Sequence, residues 1–382
     1  MKKISMAALI LMLLLTGCAP NFQKQEEVVQ EKQDTNEKAI IPKYKISDEY
    51  YSSILPFKPS EARGLVVGNL NTRYDINEFE TGLMRIAQRN FDPNQYFFQE
   101  GQYLKKNIVQ LWLNRKFTDE QLKANGLDQK QNIGLNPLKE GNEQADFQKN
   151  PIYLAHILEH DYLEKGSDGT VHLGGVVIGL ALNSVYYYQT EQYGATYEAD
   201  VKGKVEQEGK NIAAEVLKRL REMDDLKNVP ITIALFEQKE KSSVVPGNFI
   251  AYANASKGSS SLGNWETIDE QYVLFPNGGN KEDSDRFNKF KQDVEKYFPN
   301  FNGVIGKAFY ADKNMQQLDI EIPIQFYGKA EAISFTQFVT GKVMEIFPKY
   351  ITVQVSISSV NGPESLIVRK AEQDEPFVHI YQ

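Results

Sequence analysis

The chain has 382 residues with 41% hydrophobic and 11% aromatic content, the make-up of a globular protein of about two to three domains and not of a disordered or low-complexity one. Forty-three Lys and Arg against 51 Asp and Glu leave a net charge of −8, which argues against nucleic acid as a partner. A single cysteine excludes an internal disulfide and any zinc site built from several thiolates.

Residues 1–17 combine a basic start (Lys2, Lys3), an apolar run from Met6 to Leu15 and small residues ahead of Cys18, the layout of an export signal. The apolar run is too short to remain as a spanning helix. Its end, Leu15-Thr16-Gly17-Cys18, resembles the bacterial lipobox, in which the cysteine sulfur receives a diacylglyceryl group and the signal is cut just before it. The expectation is a lipoprotein held in the cell membrane on the extracytoplasmic face through lipid on Cys18. Two acyl chains suffice for stable anchoring, at about 0.8 kcal/mol per buried methylene. Loss of Lys2 and Lys3 leaves 41 basic residues against 51 acidic, net −10, so the body should stand off an anionic surface. Residues 18–45, rich in Gln, Glu, Lys and Asn, read as a flexible tether with a reach on the order of 30 Å.

Residues 46–150 read as a mixed α/β N-terminal region. Gly64-Leu65-Val66-Val67-Gly68 is strand-like, Asp75 to Met84 turns helical, and Gln102 to Arg115 fits a helix with Ile108, Leu111 and Trp112 on one face. The polar stretch Lys139 to Lys149 reads as loop and marks a boundary. Beyond it stands His156-Ile157-Leu158-Glu159-His160, an H-x-x-E-H spacing like that of inverted zinc peptidases. With Asn150-Pro151 as a helix start, both imidazoles would lie one turn apart, able to share a metal, with Glu159 as general base. A third ligand is not marked, and the apolar stripe Leu154, Leu158, Tyr162 leaves the histidines on an adjoining side; the pair reads as a surface or half-buried pair in preference to a metal site. Val185-Tyr186-Tyr187-Tyr188 reads as an aromatic strand.

The rest of the chain carries an internal repeat at an offset of roughly 120 to 127 residues. Gly175 to Gly179 answers to Gly303 to Gly306. A helix from about Val205 to Met223 answers to one from Glu331 to Phe347, with Phe335, Val339 and Val343 inward. Ile231, Ile233 and Leu235 answer to Ile351, Val353, Val355 and Ile357. The unit is hairpin, helix, strand, and two such units (151–262 and 263–382) predict an α+β fold of mainly antiparallel sheets with helices on one face and a core shared across the sheets. Asp312-Lys313-Asn314 reads as a tight turn. Leu318 to Phe326 alternates apolar and polar, a strand with one wet face, which Pro323 should place at an edge or bulge. Gly247 to Gly279, rich in Ser, Gly, Asn and aromatic residues, reads as a long loop, either a plain linker or a binding loop anchored by Trp265 and Tyr272.

The lipobox, the tether, Asn71-Thr72-Arg73-Tyr74-Asp75-Ile76-Asn77-Glu78-Phe79-Glu80-Thr81-Gly82-Leu83 and Phe98-Gln99-Glu100-Gly101-Gln102-Tyr103-Leu104 together resemble the CamS family, the sex-pheromone-precursor lipoproteins of Gram-positive bacteria. The resemblance spans essentially the full chain. It implies a short hydrophobic peptide released from the signal, corresponding to Leu11 to Gly17, where Leu-Met-Leu-Leu-Leu-Thr-Gly stands in place of the family's Ala- and Ile-containing peptide. It implies no settled activity for the exported body.

G-x-S-x-G, S-x-x-K, P-loop and G-x-G-x-x-G signatures are absent from the sequence. The leading reading is therefore a non-catalytic body without a cofactor, binding a cell-envelope ligand or protein at the membrane surface. The alternative is a metal-dependent hydrolase using His156, Glu159 and His160.

Overall fold

The structure, a computed structural model, describes residues 26–32, 35–42, 44–47, 49–297 and 303–382; the expected signal and Cys18 lie outside them. Part of the expected tether is instead a hairpin, β1 (Glu26–Lys32) and β2 (Thr35–Ile41). Val28 and Ala39 are buried against Leu163 and Val171, so a few apolar residues in a polar stretch are enough to dock it.

The chain continues through β3 (Ser52–Ser53), helix α1 (Arg73–Ala87), β4 (Tyr96–Glu100) and α2 (Lys106–Leu113). Next come β5 (Leu154–Lys165), β6 (Thr170–Asn183), a small hairpin of β7 (Val185–Tyr188) and β8 (Tyr197–Asp200), and α3 (Lys202–Arg221). β9 (Ile231–Gln238), β10 (Asn248–Ala255) and β11 (Glu266–Thr267) complete a sheet ordered β11-β10-β9-β6-β5-β4-β3, with β1 joining β6. Residues 46–150 therefore do not stand apart, because β4 is hydrogen-bonded into this sheet and α1 lies on it. Gly64 to Gly68, expected as a strand, falls in a short helical stretch over residues 63–69.

A second sheet follows in strict order: β12 (Glu270–Phe275), β13 (Ile305–Ala311), β14 (Asn314–Pro323), β15 (Thr352–Ser359), β16 (Gly362–Arg369) and β17 (Phe377–Ile380). Helices α4 (Lys281–Tyr297) and α5 (Lys329–Ile346) cover one of its faces. The expected loop 247–279 is thus largely strand, β10 to β12; its Ser- and Gly-rich part is confined to residues 256–265.

The fold is α+β, and the two units share one plan. β4-β5-β6-β9-β10-β11 and β12-β13-β14-β15-β16-β17 run in the same order, each with an antiparallel hairpin, a crossover helix, a parallel return and a second antiparallel pairing. The glycine match was out by one strand: Gly175 to Gly179 lie in β6, whereas Gly303 to Gly306 lead into β13, the counterpart of β5. The β7–β8 hairpin inserted before α3 has no counterpart before α5, and the unequal lengths brought unrelated glycines into line. Pro323 closes β14, which is a central strand and not an edge; at the last residue the missing N–H costs no interior ladder bond. Asp312 and Lys313 take positive φ of 49° and 64°, as a two-residue hairpin turn requires.

The cores are separate. One, from Phe275 to Ile367, belongs wholly to the second sheet and includes Phe335, Val339 and Val343 at 0% exposure. The first sheet has one core on each face: Val176, Ile178, Ile231 and Ile233 with α3, and Phe79, Leu83, Val177 and Phe236 with α1. Gly179 makes the second possible, since a Cβ there would lie 2.7 Å from the Phe79 ring.

Candidate functional site

The site is built where β4 stops short of covering β5. β4 pairs with residues 160–164 only, in a register that puts Glu100 opposite His160. At Gly101 the chain leaves the sheet, after its N–H donates to the Glu159 carbonyl at 3.0 Å. Only glycine can make that exit, because a Cβ would lie 2.4 Å from the Glu159 side chain. The chain then crosses the α2 face of β5: the Gln102 N–H donates to Asp161 (3.0 Å), and those of Tyr103 and Leu104 donate to Glu159 (3.1 and 2.6 Å). Glu159 is buried and its carboxyl is pushed up by desolvation, an effect tempered by these N–H groups and by Asp161.

Backbone groups of a strand point to alternate neighbours. Since the Glu159 carbonyl faces β4, the N–H and C=O of Ile157 face the same edge, beyond the end of β4. Among the described residues no backbone hydrogen bond across that edge reaches Ile157. A cavity of about 310 Å³ opens there.

Its apolar walls are Val66, Val67, Ile76, Phe79, Leu104, Val109, Ile157 and Leu158. α1 contributes Ile76, Phe79 and Glu80, held in place by two local devices. Thr72 caps the helix by accepting the Asp75 N–H at 3.0 Å. Asp75, fully buried, accepts the Gly247 N–H at 2.7 Å and so ties the helix to the β9–β10 connection. The mouth carries Arg63, 3.2 Å from Glu100, which also accepts the Ser60 N–H at 2.7 Å. Burial, and then Glu100, push the Glu80 carboxyl up.

His156 and His160 also line the cavity, but on a strand and not on the expected helix. Four residues of strand span about 13 Å, more than twice the separation of one helical turn, so the two imidazoles cannot share a tetrahedral metal. Glu159 points to the opposite face of the sheet. Among the described residues no group of three or more His, Cys, Asp and Glu is placed to hold a metal ion. The imidazoles are buried, His156 with Nδ1 3.2 Å from the Asn69 amide and His160 edge-on to Phe98 at 4.9 Å, its Nδ1 without a hydrogen-bond partner. Desolvation lowers His156 from 6.5 to about 4 and His160 to about 3, so both are neutral at physiological pH.

Trp265 and Tyr272 are not brought together. Trp265 is half-buried on the α3 side, with the Lys210 ammonium 5.5 Å from its ring. Tyr272 lies across the sheet at the junction of the two units, donating to Glu78 at 2.5 Å. There the Arg85 guanidinium bridges Glu78 and Glu270, both at 2.6 Å, and lies over the Phe309 ring at 4.6 Å. The sequence reading missed Phe79, Glu80, Glu100 and Val67 as site residues. A signal existed, since the two segments that carried the family resemblance, 71–83 and 98–104, meet in this cavity.

The family model described as CamS sex pheromone cAM373 precursor matches residues 57–375. A sex pheromone precursor from Lactobacillus salivarius is 33% identical, with 89% of this chain and 98% of that one covered and a TM-score of 0.78. The C-terminal domain of the sex pheromone staph-cAM373 precursor from Staphylococcus aureus is 34% identical, with 82% and 98% covered and a TM-score of 0.69. Comparison with curated proteins gave no match.

Proposed function

The chain belongs to the CamS family, and from that premise we propose that it is a lipoprotein, anchored through Cys18 on the extracytoplasmic face of the membrane, whose body binds a ligand without reacting with it. The anchoring half rests on Leu15-Thr16-Gly17-Cys18 and agrees with the described residues containing no helix long and apolar enough to cross a membrane. In this reading Leu11 to Gly17 would be the peptide to which the family's name refers.

The observation that carries the binding half is the cavity beside β5, whose volume and mainly apolar walls with a few converging polar groups are those of a ligand site. Most of its polar groups already have structural duties, His160 Nδ1 excepted. Glu100 holds Ser60 and Arg63, Glu159 holds the 103–104 turn, and His156 meets Asn69. Groups so engaged orient a ligand and are poorly placed to attack one.

Two experiments test the halves separately. Cys18→Ser should abolish incorporation of labelled palmitate and release the protein from the membrane; retained label would contradict the anchor. The released full-length Cys18→Ser protein should bind the neutral dye N-phenyl-1-naphthylamine at one site, and adding Val67→Trp, at an exposed position of the mouth, should remove that binding with the melting temperature unchanged. Equal binding by both proteins would place the ligand elsewhere.

A further inference from the structure

An edge strand that ends in a cavity offers more than apolar surface. Ile157 presents one N–H and one C=O side by side along the open edge of β5, spaced as a neighbouring strand would need them. β4, which would have taken them, is diverted at Gly101. In the second unit the same edge is closed: β12 pairs with β13 along residues 306–311. The opening is therefore a departure from the shared plan, and it coincides with the cavity.

A small apolar molecule would fill the walls and leave the Ile157 groups unanswered. An extended main chain answers both while alternate side chains reach the space between Val67, Ile76 and Phe79. The buried Nδ1 of His160, still without a partner, lies in the same wall. Resting on the reading of this cavity as the ligand site, we infer that its ligand is a peptide segment bound in extended form, adding a strand to the open edge of β5 at Ile157 and seating apolar side chains in the cavity.

The test uses the full-length Cys18→Ser protein and a fluorescein-labelled peptide, acetyl-Val-Ser-Val-Ser-Val-amide, by fluorescence anisotropy. Two analogues carry N-methyl groups, one on the first, third and fifth residues, the other on the second and fourth. Strand addition exposes only one edge of the peptide to β5. One analogue should therefore bind at least about tenfold more weakly, the expected cost of losing a ladder hydrogen bond, while the other stays close to the parent. The parent should also slow hydrogen exchange of the Ile157 amide, and Val67→Trp should abolish its binding. Three equal affinities, or unchanged exchange at Ile157 in a peptide-saturated sample, would overturn the inference. So would binding of N-phenyl-1-naphthylamine with no binding of the parent peptide, which would mark the cavity as a site for small apolar molecules and leave the ligand-binding reading standing. Failure of the dye as well would remove both.

Discussion

The two units have one strand order and opposite surroundings. In the first sheet β6 and β9 are buried almost without a break, because α3 covers one face and α1 the other. In the second sheet β14 and β15 alternate buried and accessible residues, because α4 and α5 cover one face only. Sheets covered twice are written as continuous apolar runs, and sheets covered once as alternation. The lesson is that the plan of the sheet does not locate the site; the added layer and the shortened neighbour strand do. α1 supplies the extra layer, and the early exit of β4 at Gly101 leaves a cavity between that layer and the edge of β5.

The sharpest way to break this comparison is to place a charge on the face that differs. Ala234, buried on the α1 face of β9, and Ser356, half-buried on the uncovered face of β15, occupy corresponding sides of the two sheets. Ala234→Asp should cost about 4 kcal/mol in urea unfolding through a buried unpaired carboxylate, whereas Ser356→Asp should stay within about 0.5 kcal/mol. Similar costs would mean that both sheets are covered alike. Val343→Asp, on the face that is covered in both units, should match Ala234→Asp.

The junction gives the next largest effect. Among the described residues Arg85 is the cation that bridges Glu78 of α1 and Glu270 of β12, so Arg85→Met leaves two buried carboxylates without that cation. A loss of about 3 kcal/mol is expected, with the single urea transition separating into two as the units uncouple. An unchanged single transition would show that the ion pairs do not join them.

A smaller effect belongs to the cavity. His160 is neutral in the fold down to about pH 3 but takes a proton near pH 6.5 when unfolded. Between those values the unfolded chain holds more protons, so stability falls as pH falls, by about 1.4 kcal/mol per pH unit from this group. His160→Phe removes that contribution. The variant should therefore gain about 2 kcal/mol relative to the wild type between pH 6.5 and 5, and a pH-independent difference would show that the imidazole is already solvated.

Helices α1, α3 and α5, the hairpin turn at Asp312-Lys313 and the repeated order of hairpin, helix and strand were legible in the sequence because each has a strong period or a turn signal, whereas α4 (Lys281–Tyr297), mostly polar with Phe287, Phe290 and Val294 as its buried apolar residues, was missed. The histidine segment was not legible either. Leu154, Leu158 and Tyr162 fit a helical stripe, but Ile157 and Leu163 are equally apolar, and a strand buried on both faces shows no period of two. The strands between Gly247 and Gly279 were hidden too, because the Ser, Gly and Asn residues around Trp265 and Tyr272 read as a plain linker or a binding loop. The cavity itself could not be read from spacing, since it joins residues 60–67, 76–80, 100–109 and 156–160, and its decisive feature is a backbone edge that no side chain announces.

Amide hydrogen exchange in the free protein tests the open edge most directly. Asp161 and Ile157 face the same side of β5, the first opposite Gln99 of β4 and the second past its end. The account predicts that the Ile157 amide exchanges much faster than that of Asp161, while the amides of β13 that face β12 are all protected. Equal protection of Ile157 and Asp161 would show the edge already paired, and the cavity would have no strand to extend.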